Sequence, residues 1–204
     1  DVFVKLETRQ SLILESYATQ IEVPDFPYQE TGGSAVALTG EWKITFDSGG
    51  PELPPAYETN SPRYWTDSGE ESYNNFSGTA TYALSFDKPA GENRRWLLKL
   101  EAVKESAEVI LNGKLIATLI GPVYQAEFES ALLKERNLLQ IKVSNLMANR
   151  IAYMDRNNIL WKKFYNVNFP SRLRENSKDN VFTAAHWKPR PSGLNGKVEL
   201  YPLR

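Results

Sequence analysis

The sequence predicts an all-β fold, a β-sandwich, on three observations. Apolar residues alternate with polar ones in several short segments, one tight turn is clearly marked, and no long stretch repeats its apolar residues at helical spacing. Alternation with a period of two buries one face of a strand and leaves the other face in water. Many short strands with turn residues between them favour two stacked sheets.

The alternation runs through the chain from residue 42 to its end. The alternating apolar residues are Trp42, Ile44 and Phe46; Tyr82, Leu84 and Phe86; Trp96, Leu98 and Leu100; Leu139, Ile141 and Val143; and Val198 with Leu200. Between two further apolar runs, at 109–111 and 115–117, stands Asn112-Gly113. Asn-Gly readily takes the positive φ angles of a two-residue type I′ turn, so residues 108–120 predict a β-hairpin.

Two predicted loops are long and rich in aromatic residues. They cover 48–75 and 148–191. Loops of this length are uncommon in compact domains and tend to be functional. Because they carry many aromatic side chains, we expect them to pack onto the sandwich. The only helical signal is at 130–136, which predicts one turn with Leu132 and Leu133 on the core.

Residues 1–37 differ from the rest of the chain. Residues 2–6 and 11–14 predict two strands, and residues 24–33 resemble a linker. We interpret 1–37 either as the end of a preceding domain or as edge strands added to the sandwich, followed by a linker. Residues 38–204 then form the sandwich domain.

Composition excludes several classes of function. The chain has 24 basic and 25 acidic residues, for a net charge of -1. This balance argues against nucleic-acid binding, which normally needs a basic excess. No apolar run approaches the roughly 20 residues that span a bilayer, so we expect no membrane association. The chain has no cysteine, which excludes disulfides and thiolate metal sites.

A set of motifs from residue 38 onward resembles the accessory domains of glycoside hydrolases. The segment LTGEWKITF at 38–46 is similar to the first strand of the sugar-binding-type β-sandwich of family 2. Five further segments resemble the C-terminal domain of family 106 α-L-rhamnosidases. They are FSGTATY at 76–82, VKESAEVILNG at 103–113, NLLQIKVSNL at 137–146, Asn149-Arg150 and PSGL at 191–194. Residues 20–36 do not match the pattern.

The resemblance implies a galactose-binding-like jelly roll whose catalytic centre lies in a separate barrel domain. We therefore expect a non-catalytic domain of a larger enzyme, with the catalytic domain of the same parent chain as its partner. We also expect a secreted or periplasmic bacterial location, although the lack of cysteine fits a cytosolic protein equally.

The residue types that catalyse glycoside hydrolysis do not form a recognisable site in the sequence. Two carboxyl groups are needed across a cleft, and carboxylates are plentiful, but abundance predicts no pair. We interpret Glu105 as a structural residue at a strand start, and Asp155 with Arg156 as a surface ion pair. His186, the only histidine, is interpreted as a loop residue packed on Trp187. We predict no catalytic residue.

Carbohydrate binding remains open because aromatic side chains in the long loops could stack on sugar rings, with Arg and Asn as partners of the hydroxyl groups. The candidates are Trp65, Tyr73, Trp161, Tyr165 and Trp187, with Arg150 and Asn149 as polar partners. The competing interpretation is that these aromatic residues fix the loops onto the sandwich or onto the missing domain.

No cofactor is predicted, and calcium is left open. Oxygen ligands for calcium could come from Asp47, Asp67, Asp87 and Glu92, although their spacing matches no known calcium loop. Three functions follow from the sequence. The first is an accessory domain of an α-L-rhamnosidase-like enzyme. The second is an independent carbohydrate-binding module, and the third, the least favoured, is a small self-sufficient glycosidase.

Overall fold

A computed structural model describes residues 4, 6, 11–22, 31–162, 177–178 and 181–203 of the protein. The strands are β1 (Val36–Ala37), β2 (Trp42–Gly50), β3 (Tyr57–Thr59), β4 (Ser77–Asp87), β5 (Arg95–Lys104), β6 (Ser106–Leu111), β7 (Lys114–Ile120), β8 (Gln125–Glu129), β9 (Arg136–Ser144), β10 (Ser177–Lys178), β11 (Val181–Phe182) and β12 (Gly193–Leu203). The helices are α1 (Glu71–Asn75) and α2 (Ala148–Arg156), with 3-10 turns at Trp65–Ser68 and Ser130–Leu132.

Two antiparallel sheets form the body of the protein, as the alternation predicts. One has the strand order β1-β12-β5-β8, and the other has the order β3-β2-β4-β9-β6-β7. Strands that are distant in sequence, such as β4 and β9, are hydrogen-bonded neighbours. The arrangement is a jelly-roll β-sandwich. A separate two-stranded ribbon joins β10 to β11.

The core lies between the two sheets and is built from the alternating residues. In β2, Trp42, Ile44 and Phe46 are buried, whereas Lys43 and Asp47 are exposed. The same alternation buries the predicted apolar residues of β4, β5, β9 and β12. Burial of each such side chain stabilises the fold by about 1.5–3 kcal/mol relative to its exposure.

The hairpin of β6 and β7 has the predicted turn. Asn112 and Gly113 both have positive φ angles, of 52° and 83°. Asn112 also fixes the neighbouring segment, since its amide donates to the carbonyl of Leu132 at 2.8 Å and accepts from the N–H of Leu138 at 3.0 Å. The predicted turn near residue 130 is present, and Leu133 beside it is buried.

Both long loops leave and rejoin the sandwich at the same end. Gly50 pairs with Ser77, so the segment from β2 to β4 begins and ends there. Ser144, where the second loop begins, pairs with Ser106 of β6. Only Glu105 separates β6 from the end of β5, which in turn pairs with Gly193 of β12. We call this edge of the sandwich the loop end, because it carries both long connections.

The N-terminal region departs from the sequence prediction. The described residues at 11–14 form no strand, and Ile13 and Leu14 are 85% and 65% exposed. The strand prediction there is wrong, because apolar residues make a strand only where a partner sheet covers them. By contrast, Val36–Ala37 pair with β12 as an edge strand. The four-stranded sheet therefore begins two residues before position 38.

No helix among the described residues combines the length and apolar character needed to cross a membrane.

Candidate functional site

An aromatic cluster fills the space under the loop between β2 and β4. It consists of Phe46, Tyr57, Trp65, Tyr73 and Phe76. The Trp65 ring stands edge-on to the rings of Phe46 and Phe76, with centroid distances of 5.7 and 5.8 Å. Tyr73 contacts Phe46 and Tyr57, and its hydroxyl donates to the carbonyl of Pro55 at 3.0 Å. The cluster fixes this loop to the sandwich.

Two predicted sugar-stacking residues therefore lie in the core. Trp65 is 1% exposed and Tyr73 is 6% exposed. Their burial agrees with the competing interpretation, that these aromatic residues fix the loop onto the sandwich, because large apolar rings gain more from burial than from water contact. Neither side chain offers a ring face to a sugar in this structure.

Half-buried Tyr57 and buried Tyr82, at this end of the sandwich, have raised pKa values. Burial, and after it the neighbouring Tyr73, raises the pKa of Tyr57 to about 12. Burial also raises the pKa of the Tyr82 hydroxyl, which donates to the carbonyl of Arg63 at 3.0 Å. A tyrosinate in this apolar setting would lack solvation, so the folded state favours the neutral phenol.

We expect the domain to lose stability as the pH rises from 10 to 12. The unfolded chain releases the Tyr57 proton near the ordinary pKa of 10, whereas the pKa in the folded chain is about 12. Between these two pH values the unfolded state binds fewer protons than the folded state, so rising pH stabilises the unfolded state relative to the folded state. The contribution is fully present below pH 10. Urea unfolding at stepped pH measures it, and Tyr57→Phe should make the decline shallower. An identical decline in the variant would contradict the assignment.

Two asparagines fix the second long loop at its start. Asn149 is 3% exposed, its Nδ2 donates to the carbonyl of Arg190 at 3.0 Å, and its Oδ1 accepts the N–H of Arg190 at 2.8 Å. Asn145 accepts the N–H of Gly78 at 2.8 Å and donates to the Ser192 hydroxyl at 2.9 Å. The predicted role of Asn149 as a partner of sugar hydroxyls is wrong, since its amide is used by the backbone.

Arg150 lies beside this network at the start of α2. Its N–H donates to the Ser77 hydroxyl at 3.1 Å, and its side chain is half-buried. The guanidinium lies over Gly50 at the end of β2. Of the predicted site residues, Arg150 is the one whose charged group the structure leaves available for an external partner.

A small apolar cluster forms where α2 meets the segment before β12. Ala152, Phe182 and Ala184 are buried in it, and Ile151, Trp161 and Trp187 pack against it. Asp155 organises the cluster. Its carboxylate accepts Trp161 Nε1–H at 2.5 Å and the N–H of Ala184 at 2.7 Å, and it pairs with Lys162 at 3.6 Å.

The interpretation of Asp155 and Arg156 as a surface pair is wrong. Neighbouring residues of a helix point to different sides, so Asp155 faces the cluster while Arg156 donates to Asn75 Oδ1 at 2.6 Å. Arg156 thereby links α2 to α1.

Trp161 and Trp187 are half-buried, and both contact Phe182 edge-on, at 6.4 and 5.8 Å between centroids. The Arg190 guanidinium carbon stands 5.9 Å from the Trp187 ring centroid, within range of a cation–π contact. Each indole is therefore held by the small cluster around Phe182 and keeps a partly exposed surface. Tyr165, the remaining predicted aromatic, lies outside the described residues.

An open cleft of about 540 Å³ lies on the other side of the loop end. Its lining includes Glu101, Glu105 and Tyr124. Glu101 accepts the N–H of Lys197 at 2.7 Å, and the Tyr124 hydroxyl donates to the carbonyl of Glu105 at 2.6 Å. The pKa of Tyr64 is raised by partial burial and then by Asp67, Glu105, Tyr124 and Glu101, which places an acidic surface here.

The cleft can offer carboxylate acceptors and phenol groups to hydroxylated ligands. Neither Tyr124, which lines the cleft, nor Tyr64, which lies near it, was predicted as a site residue from the sequence. Each follows a proline-containing segment at a strand connection, and only the three-dimensional crossing of those connections brings them together. His186, on the same end, is an exposed turn residue.

The residues considered for calcium are not brought together. Asp67 lies in the 3-10 turn at the loop end, whereas Asp87 closes β4 at the opposite end of the sandwich. Asp47 accepts the Thr81 hydroxyl at 2.6 Å. Over the part of the chain that the structure describes, no group of three His, Asp or Glu side chains is placed to hold a metal ion. Calcium binding, which the sequence left open, is not tested by the structure.

Comparison with solved structures finds this fold within parts of larger chains. The fold is similar to part of a rhamnosidase from Novosphingobium sp. PP1Y, with a TM-score of 0.61 and 24% identity, over 91% of this chain and 16% of that one. It is also similar to a Faecalibacterium prausnitzii β-glucuronidase, with a TM-score of 0.54 and 21% identity, over 87% of this chain and 33% of that one.

One curated protein is similar in sequence as well. It comes from Formosa agariphila and carries the name of a putative β-glucuronidase. It is 32% identical in an alignment of 124 residues that covers 57% of this chain. This chain spans 10% of the length of that relative and at most a third of the two solved chains. No family model matches the sequence. These relatives are glycoside hydrolases, and each is matched over only a part of its length.

Proposed function

We propose that this chain is a non-catalytic accessory β-sandwich domain of a larger, α-L-rhamnosidase-like glycoside hydrolase, exported by a bacterium, in which it supports the catalytic domain. The observation that carries the proposal is the pair of coverage values: 91% of this chain matches, but only 16% of the rhamnosidase chain. A domain that resembles a small part of a large glycosidase is best explained as a component of a similar enzyme.

The loop end supports a structural role for this domain. Trp65 and Tyr73 are buried there, and Asn145 and Asn149 serve the backbone. Hydrolysis needs two carboxyl groups on opposite sides of the scissile bond. Glu101 and Glu105 instead line one open cleft at neighbouring positions along the chain, and Asp155 is occupied by three partners.

The test compares the 204-residue chain with the full natural enzyme that carries it. We expect the full enzyme to hydrolyse an aryl α-L-rhamnoside and the chain alone to release no product. Removal of residues 38–204 from the enzyme should lower its thermal midpoint. Hydrolysis by the chain alone would overturn the proposal and favour a self-sufficient glycosidase. Hydrolysis of an aryl β-glucuronide in place of the rhamnoside by the full enzyme would keep the accessory role of this chain and correct the substrate class of the enzyme.

A second candidate function is an independent carbohydrate-binding module, and Trp187 is the observation that favours it. The indole is half-buried, is held by Phe182, and has the Arg190 guanidinium near its face. An exposed part of an indole beside a fixed donor fits the apolar face and hydroxyl groups of a sugar.

Under this second function, Trp187→Ala should weaken binding by about tenfold, which corresponds to about 1.4 kcal/mol. Isothermal titration with L-rhamnose and a rhamnose-containing oligosaccharide measures it. Trp187→Phe is the matched control, because it keeps an aromatic ring on Phe182. Equal affinity in the wild type and in Trp187→Ala would exclude Trp187 as the platform. Absence of binding by the wild type would leave the supporting role as the function.

A further inference from the structure

The side chain of Arg150 is held flat against the backbone of β2. A Cβ atom built on Gly50 would stand 2.6 Å from Cζ of Arg150 and 2.8 Å from each Nη. Three nearly equal distances mean that the face of the guanidinium, and not its edge, rests on Gly50. The N–H groups lie in the guanidinium plane, so they point sideways and away from Gly50. Glycine at position 50 is what permits this approach.

The guanidinium has no acceptor within the described ranges. Its backbone N–H bonds to Ser77, but neither of the ion pairs and none of the side-chain hydrogen bonds involves its Nε or Nη atoms. Arg95, by comparison, pairs with Glu127 at 3.2 Å. Glu52 lies two residues beyond Gly50, yet it is exposed and forms no ion pair with Arg150.

A half-buried guanidinium without an acceptor is an incomplete site. Arginine has five N–H donors in a rigid fork, and part of its hydration is removed by Gly50 and α2. The group that matches this fork is a carboxylate, which can accept two parallel hydrogen bonds. The expected partner of Arg150 is therefore a carboxylate.

Exposed aliphatic residues lie close along the chain to Arg150 and to Gly50, on which it rests, and they indicate where the carboxylate comes from. Leu53 follows Gly50 by three residues, and Leu146 and Met147 precede Arg150 by four and three; they are 52%, 48% and 47% exposed. Exposed aliphatic residues near an arginine are typical of a protein–protein interface, in which Arg and Met are enriched. A sugar ring would need an aromatic face, and these flanking residues are aliphatic.

We infer that Arg150, with Leu53, Leu146 and Met147, forms a docking surface for a neighbouring domain of the parent enzyme, and that this domain supplies an Asp or Glu carboxylate to Arg150. The inference rests on the proposed function. The matched part of the rhamnosidase is 16% of its chain, so an enzyme of that size has ample further structure to cover this surface.

Arginine footprinting tests the inference directly. Phenylglyoxal modifies accessible guanidinium groups, and peptide mass spectrometry reports the rate at each arginine. In the full enzyme Arg150 should react about tenfold more slowly than in the 204-residue chain, because a docked interface excludes the reagent from its centre. Arg136, exposed at the opposite end of the sandwich, is the control and should react equally in both.

Substitutions at position 150 distinguish the contribution of the forked guanidinium geometry from that of the positive charge. In the full enzyme, Arg150→Gln should uncouple the unfolding of this domain from that of its neighbour, which adds a calorimetric transition. Arg150→Lys should have a smaller effect, because lysine keeps the positive charge but loses the forked donor geometry. Arg136→Gln, with the same loss of charge, should leave the transitions unchanged. Both substitutions at position 150 should leave the unfolding midpoint of the 204-residue chain unchanged.

Each outcome decides the inference. Equal reaction rates at Arg150 in a full enzyme that hydrolyses glycosides would overturn the docking surface while leaving the proposed function intact. Protection of Arg150 in the 204-residue chain by glucuronate or galacturonate, and not by glucose, would assign the carboxylate to a ligand and overturn the docking partner. Slow reaction in the full enzyme, relieved by removal of the neighbouring domain, would support it.

Discussion

Gly78→Ala should destabilise the domain by about 3 kcal/mol, among the largest effects of any single methyl group in this fold. Gly78 and Gly49 are paired across β4 and β2. A Cβ on Gly78 would stand 2.0 Å from the Ser48 carbonyl oxygen and 2.6 Å from Gly49 Cα. Both contacts are with backbone, so no side chain can rotate away, and the two central strands would have to separate.

Gly69→Ala is the matched control for Gly78→Ala. Gly69 has a φ of +75° but no atom within 4 Å of the added Cβ. Its cost is therefore limited to backbone strain, about 1 kcal/mol. Urea unfolding of both variants gives the two free energies of unfolding. If Gly78→Ala proves no more costly than Gly69→Ala, the close approach of β2 and β4 is not as tight as described.

The strands and the turn could be predicted because their signals are local. A period of two fixes which face of β2 or β9 is buried, and Asn112-Gly113 fixes the turn by its backbone conformation alone. The close pairing of Gly49 with Gly78 lies in FSGTATY at 76–82, one of the segments that carried the family resemblance.

Helix α2 gave no such signal. The buried residues of this helix are Asn149 and Ala152, so no apolar stripe marks it, and its N-cap residue Met147 provides no side-chain cap. Its stability comes instead from the Asp155 contacts and from the hydrogen bonds of Asn149 to Arg190, which is 41 residues away in sequence. Partners at such separations cannot be read from one sequence.

The candidate site could be predicted only in part, for the same reason. The resemblance pointed to the pair Asn149-Arg150, but whether each side chain faces the backbone or a partner depends on Arg190 and Gly50. Composition likewise placed aromatic residues in the long loops without indicating which faces are covered. Trp65 and Trp187 both lie in predicted long loops, yet one is in the core and the other is half-buried.

Trp65→Ala should cost about 4 kcal/mol of unfolding free energy, because it removes a large side chain from a packed cluster and leaves a cavity between Phe46 and Phe76. Trp187→Ala, at the half-buried position, should cost about 1 kcal/mol. Chemical denaturation of the two variants measures both values, and a smaller loss at Trp65 than at Trp187 would contradict the buried position of the first.

Trp65→Phe distinguishes packing from hydrogen bonding at the same position. The Nε1–H of Trp65 is buried and has no acceptor among the described residues, so it carries a desolvation cost that the folded state does not recover. Phenylalanine removes that unsatisfied donor while keeping a ring against Phe46, and the loss should fall to about 1–2 kcal/mol. If Trp65→Phe proves as damaging as Trp65→Ala, the indole N–H has a partner in solution, and the ring is held by a polar contact in addition to apolar packing.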